Sequence, residues 1–197
     1  MNRHILVIIF LILSSSFTKA QTALSSDELF KNAREAAFEH KDYDKARKLA
    51  NQALAISPAY ADIDIFLGRV YSWSSQYDSA RYHFTKVLTA NPANEDASIA
   101  LIDLEYWNDH YDNALKTCNQ ALTLDSASEE LLLRKARILN ATKKYKEASV
   151  IVKALSKSGS HNKAVLALAN SLKDAVAVNK LSISYDHTSF DKQYDQP

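Results

Sequence analysis

A tyrosine recurs every 34 residues in this chain, at Tyr43, Tyr77, Tyr111 and Tyr145, and an alanine follows each one three places on, at Ala46, Ala80, Ala114 and Ala148. The surrounding phrases repeat too: Tyr43-Asp44-Lys45-Ala46, Tyr77-Asp78-Ser79-Ala80, Tyr111-Asp112-Asn113-Ala114 and Tyr145-Lys146-Glu147-Ala148. Four copies in strict register mean one structural unit used four times. A period of this length belongs to stacked architectures, in which each unit buries its apolar face against the next.

The unit is helical. The chain of 197 residues has only two glycines, Gly68 and Gly159, and three prolines, so strand-and-turn folds lack their breakers. Between Pro58, Pro92 and the tail, good helix formers dominate. The expected fold class is all-α, a solenoid of helical hairpins. Helix pairs are expected at about 27–57, 61–91, 95–124 and 128–157, within units spanning 27–60, 61–94, 95–128 and 129–160 of a repeat region running from 21 to 160. A further helix within 161–178 carries Ala164, Leu168, Leu172 and Ala175 at helical spacing. It is expected to cap the open end of the stack.

The second copy reads Leu67, Gly68, Tyr71, then Ala80, Phe84 and Pro92. In this it resembles the tetratricopeptide family, whose 34-residue helical hairpin carries a W-x₂-L-G-x₂-Y, A-x₃-F, P pattern. Asp64 departs from it where a large apolar residue is usual. The first copy keeps Phe30, Ala46, Ala53 and Pro58, with Ala33, Arg34 and Ala37 in the middle positions. The third has Leu101, Ala114 and Ala121, with Cys118 at the aromatic place and Ser126 at the proline place. The fourth, with Leu132, Ala136, Ala148 and Ser160, is the most degraded. Small residues such as Gly68 and Ala136 allow close helix approach, and the aromatics fill the space between layers.

Residues 1–20 differ in kind. Arg3 and His4 precede an apolar run from Ile5 to Leu13, then serines and a Thr18-Lys19-Ala20 end, the layout of a secretory signal peptide cleaved after Ala20. The other reading is a membrane anchor, for which the run falls short of the ~20 apolar residues a spanning helix needs. Cleavage removes Arg3 and Lys19, so Lys and Arg fall from 24 to 22 against 23 acids and the net charge becomes −1. A near-neutral chain offers no electrostatic case for nucleic acid. Cys118 is the only cysteine, which excludes an internal disulfide. It reads as a small buried side chain or as a free reactive thiol.

From 179 to 197 the period switches to two, with Leu181, Ile183 and Tyr185 alternating with Ser182, Ser184 and Asp186. This is a short, isolated strand-like tail or a frayed terminus. Signal peptide, degraded repeats and then an alternating segment resemble the periplasmic N-terminal region of YaiO-like outer-membrane β-barrel proteins of Gram-negative bacteria. So do the phrases Tyr71-Ser72-Trp73-Ser74 and Glu105-Tyr106-Trp107-Asn108, which also look like repeats of polysaccharide-export barrels. The resemblance implies an exported module in the periplasm or at the periplasmic side of the outer membrane. There it would bind a protein or peptide partner of the cell envelope, or else polysaccharide or its processing enzymes. An outer-membrane barrel needs about eight strands or more, so 179–197 would be at most the start of one, and 1–197 is expected to be the N-terminal part of a longer protein or a truncated relative.

In such a stack the first helix of each pair lines the concave surface. Trp73 and Trp107 stand 34 residues apart near the ends of successive first helices and are expected one above the other. Arg69, Asp103 and Arg137 lie one turn earlier, with Tyr106 and Asn140 adjacent. These seven residues form the candidate binding strip, whose tryptophans either meet a ligand or cement neighbouring repeats. No catalytic site is expected, since no nucleophile, base and orienting group can be assigned. The two glycines build no phosphate loop, and the six histidines show no H-x₃-H pair, so neither a cofactor nor a metal site is expected.

Overall fold

The structure, a computed structural model, describes residues 24–158, 162–173 and 175. The signal-peptide reading of 1–20 and the strand-like tail of 179–197 lie outside the described residues. Helices follow one another in antiparallel pairs: α1 Ser26–Phe38 with α2 Tyr43–Ile56, α3 Ala61–Trp73 with α4 Tyr77–Ala90, α5 Glu95–Trp107 with α6 Tyr111–Leu124, and α7 Glu129–Ala141 with α8 Tyr145–Lys157. A last helix, α9, covers 163–173. Among the described residues there is no strand, and no helix is long and apolar enough to cross a membrane. The chain is a helical-hairpin solenoid.

Local chemistry sets the helix ends. Ser25 opens α1 with a capping box: its hydroxyl accepts from the Glu28 amide at 3.2 Å, and the Glu28 carboxylate accepts from the Ser25 amide at 2.9 Å. Asp42, Asn94 and Ser128 cap α2, α5 and α7 with side-chain oxygens. The tyrosine column marks the first residue of every second helix. Two places before each tyrosine, the chain turns through a left-handed residue that is not glycine: Lys41, Ser75, Asp109 and Lys143, with φ between 54 and 60°. In the last three turns the next amide donates back across the turn, Gln76 to Tyr71, His110 to Glu105 and Lys144 to Leu139, at 2.8 to 2.9 Å. This is the bond pattern of a left-handed helix C-terminus, where a Cβ is a strain and glycine is preferred. Lys143 is exposed and forms no ion pair with a described residue. Lys143→Gly is therefore expected to raise the unfolding free energy by about 0.5–1 kcal/mol, after subtracting the glycine's extra chain entropy. Urea unfolding checks this, and a loss of stability would refute it.

The alanine column is fully buried at all four places, and Ala33 and Ala136 are equally buried on the first helices. Larger side chains close the space between layers. Phe84, 1 % exposed, packs with Ile65, Val87, Ala97 and Leu101, joining the second unit to the third. Burying one such side chain is worth roughly 1.5–3 kcal/mol. Asp64, the departure from the repeat pattern, is itself buried. It meets His83 Nδ1 at 2.9 Å and accepts from Lys86 Nζ at 2.8 Å, so α4 supplies the polar partners for the missing apolar residue. Cys118 is buried beneath α7, its thiol donating to the Leu131 carbonyl at 3.3 Å. Burial pushes its pKa up to about 11, which makes it a packing residue and no reactive handle.

The first helices α3, α5 and α7 touch one another in series, whereas the second helices meet no other second helix closely. The row packed more tightly lies on the inside of the curve, so the first helices line the concave face. Against the fourth unit, α9 buries Val165 and Leu172.

Candidate functional site

A cavity of about 420 Å³ opens on the concave face where α5 crosses α7 and α9. Asp103, Tyr106 and Trp107 approach it from α5, and Arg137 and Asn140 from α7. All five belong to the strip expected from sequence. Ile102, Ile138 and Leu168 complete the wall, with Arg134.

Arg134, absent from that strip, sets the electrostatics. Its Nε and Nη2 each donate to an Asp103 carboxylate oxygen at 2.9 Å, a bidentate bridge between α5 and α7, and its Nη1 donates to Glu130 Oε2 at 2.5 Å. Burial opposes the guanidinium charge, but Asp103 and Glu130 outweigh it and raise its pKa above the ordinary arginine value. Asp103 is thus neutralised within the wall. Arg137 is left as the cavity's cation, in no ion pair with a described residue. Trp107 stands at the rim, 78 % exposed, held edge-to-face on Tyr106 at 5.2 Å, while Tyr106 in turn meets Tyr111 at 5.6 Å.

The other two residues of the strip lie elsewhere. Trp73, 44 % exposed, packs its ring on Phe38 at 5.6 Å and near Tyr43 at 5.9 Å, so it cements the first unit to the second. Arg69 is exposed on α3, outside the cavity. No ring contact joins the two tryptophans among the described residues: Trp73 meets rings of the first unit, and Trp107 meets Tyr106. Their surroundings differ by one substitution in the repeat: the position of Phe38 is taken by Ser72 in the next unit, so Trp107 finds no aromatic ring at that place on the preceding first helix.

The inner face also has a second hollow, of about 490 Å³, lined by Phe30, Arg34, Glu35, Phe38 and Tyr60 at its N-terminal end. Sequence reading passed over it, although Phe38 stands in the same repeat position as Tyr106 and Asn140. Among the described residues, only Glu35, Glu39 and His40 group in a way that could hold a metal. All three are exposed on α1 and its following turn, away from the cavity.

The sequence matches the family described as tetratricopeptide repeat over residues 37–81, 74–122 and 108–172. Among solved structures, a tetratricopeptide repeat protein from Parabacteroides merdae is similar at 16% identity, over 91% of this chain and 69% of that one, with a TM-score of 0.70. MamA AMB-1 is similar at 21% identity, over 71% and 83%, with a TM-score of 0.57. The first such domain of Spaghetti (RPAP3), bound to the HSP90 peptide SRMEEVD, is similar at 14% identity, over 60% and 93%, with a TM-score of 0.53. No curated protein matches the chain in sequence.

Proposed function

This chain belongs to the tetratricopeptide repeat family of interaction scaffolds, and from that premise we propose that its concave cavity captures an extended peptide of a partner protein, with Trp107 and Arg137 as the anchors. The observation that carries the reading is the pairing of an exposed indole with a cation that no carboxylate among the described residues satisfies, at the mouth of a partly apolar cavity. A solvent-exposed tryptophan gains by covering its ring, and an unpaired guanidinium by meeting a carboxylate. The fitting ligand presents an apolar side chain beside an acidic one. That RPAP3 binds an acidic peptide on the same fold supports this class of ligand.

We place the module in the cell envelope, as the periplasmic arm of an outer-membrane system. This rests on the apolar run and small-residue end of residues 1–20 and on the alternating residues 181–186, both read from sequence. Fractionating cells with an antibody against 27–178 tests the placement. Recovery of the native protein in the cytosol would refute it.

For the site, Trp107→Ala and Arg137→Ala are each expected to weaken binding of peptides selected from a random peptide array by about tenfold, the loss of one interface anchor. Fluorescence anisotropy reads this, and unchanged affinity in both variants removes the cavity from the function. An oligosaccharide that perturbs tryptophan emission, with the response lost in Trp107→Ala, would transfer the site to polysaccharide and its export.

A further inference from the structure

A second groove lies away from the concave face, between α8 and α9. It has a volume of about 840 Å³ and a floor of Val152, Ala169 and Leu172. Two large apolar side chains stand unburied on its walls, Val150 at 69 % and Leu166 at 51 % exposure, with Lys153 and Lys173 beside them. Among the described residues, no acidic one lines it. The sequence around it is strongly basic: between 143 and 173 the chain carries seven lysines against the single acid Glu147, a net charge of +6. None of the seven forms an ion pair with a described residue.

We propose that this groove docks an acidic amphipathic helix of a partner protein, its apolar stripe on Val150, Leu166 and the floor and its carboxylates toward Lys153 and Lys173. A helix is the occupant because each earlier first helix, α1, α3, α5 and α7, is covered by an antiparallel second helix, and among the described residues α9 is not. The sequence that follows does not repeat the apolar pattern of a second helix. Carried one period on, the buried positions Ala148, Val152 and Leu155 fall on Ser182, Asp186 and Ser189. The lysines select acidic flanks, since like charge beside them is repelled. A concave groove between two helices accepts the ridge of a third, whereas a flat anionic bilayer would leave its floor uncovered.

The test titrates the mature chain against a fluorescent 18-residue peptide with leucines at helical spacing and glutamates on both flanks. Controls are its scrambled sequence, its lysine-for-glutamate counterpart and vesicles of phosphatidylglycerol. Saturable binding that falls steeply with salt is expected for the first peptide alone. Val150→Asp with Leu166→Asp, and separately Lys153→Glu with Lys173→Glu, are each expected to weaken it at least tenfold with unchanged circular dichroism. Because the lysine variant alters only exposed charge, it keeps the test decisive should the apolar variant unfold. Equal affinity in the groove variants, binding to vesicles without the peptide, or self-association abolished by the groove variants would each overturn the assignment.

Discussion

Arg81→Met is expected to lower the unfolding free energy at neutral pH by roughly 2–4 kcal/mol, the cost of taking one partner from a buried pair discounted for a guanidinium about one-third exposed. The buried partner is Glu105, on α5 next to the cavity residues Tyr106 and Trp107. Its Oε1 accepts from Arg81 Nε at 2.5 Å and its Oε2 lies 2.9 Å from His110 Nδ1, so one carboxylate ties α4, α5 and the turn into α6. Burial alone would raise the Glu105 pKa, but hydrogen bonds from Arg81 and His110 reverse that and hold it below the ordinary value of 4.5. The sign follows. In the wild type this carboxylate contributes stability above the unfolded-state value and loses it as pH falls through the lower folded value. Without Arg81 the desolvation is opposed only by His110. The carboxyl then favours its neutral form, and the deficit relative to wild type shrinks as the solution is acidified. Urea denaturation at several pH values reads this. Adding Glu105→Gln to Arg81→Met should recover most of the neutral-pH loss, because no charge is then left buried. A deficit independent of pH and unrelieved by Glu105→Gln would mean that Arg81 acts only through packing.

What sequence could reach follows the same division between column and contact. The tyrosine and alanine columns lie on the repeat axis, so counting by 34 places both helices of each unit and the inner face. Contacts that leave the column stay hidden. Asp103 and Arg134 are 31 residues apart, one period less one helical turn, a spacing that becomes meaningful only once α5 is seen crossing α7. Trp73 and Trp107 are equivalent by register, yet one is packed on a ring of the preceding first helix and the other is not, because Phe38 in one unit corresponds to Ser72 in the next. Asp64 gave a visible signal, an acid in an apolar place, and its answer was also present in His83 and Lys86, three apart on the facing helix. A departure from a repeat is best read together with its partners on the next element. The departures here mark a polar tie, at Asp64, and an indole left exposed, at Trp107.

Gly68→Ala is expected to destabilise the protein by about 1–2 kcal/mol, although alanine is the better helix former by roughly 1 kcal/mol and a survey of exposed helix positions would favour it. Gly68 faces the second helix of its own unit, and a Cβ there would stand 2.4 Å from Phe84 Cε1 and 2.7 Å from Cδ1. The ring cannot swing away, because Phe84 is 1 % exposed and walled by the third unit as well as its own. The added methyl must instead push α3 from α4 or drive the ring off its rotamer, and either costs more than the propensity gain. The effect is conditional on the ring. In a Phe84→Leu background, itself less stable for the volume lost, the methyl enters space the ring has left, and Gly68→Ala should become neutral or stabilising. Four denaturation curves close the cycle. Additive losses would mean that the glycine serves some purpose other than admitting Phe84. A reversal of sign would establish that glycine and aromatic are one packing unit, which the repeat pattern places thirteen residues beyond the turn-preceding tyrosine Tyr71 at Phe84's end and three before it at Gly68's.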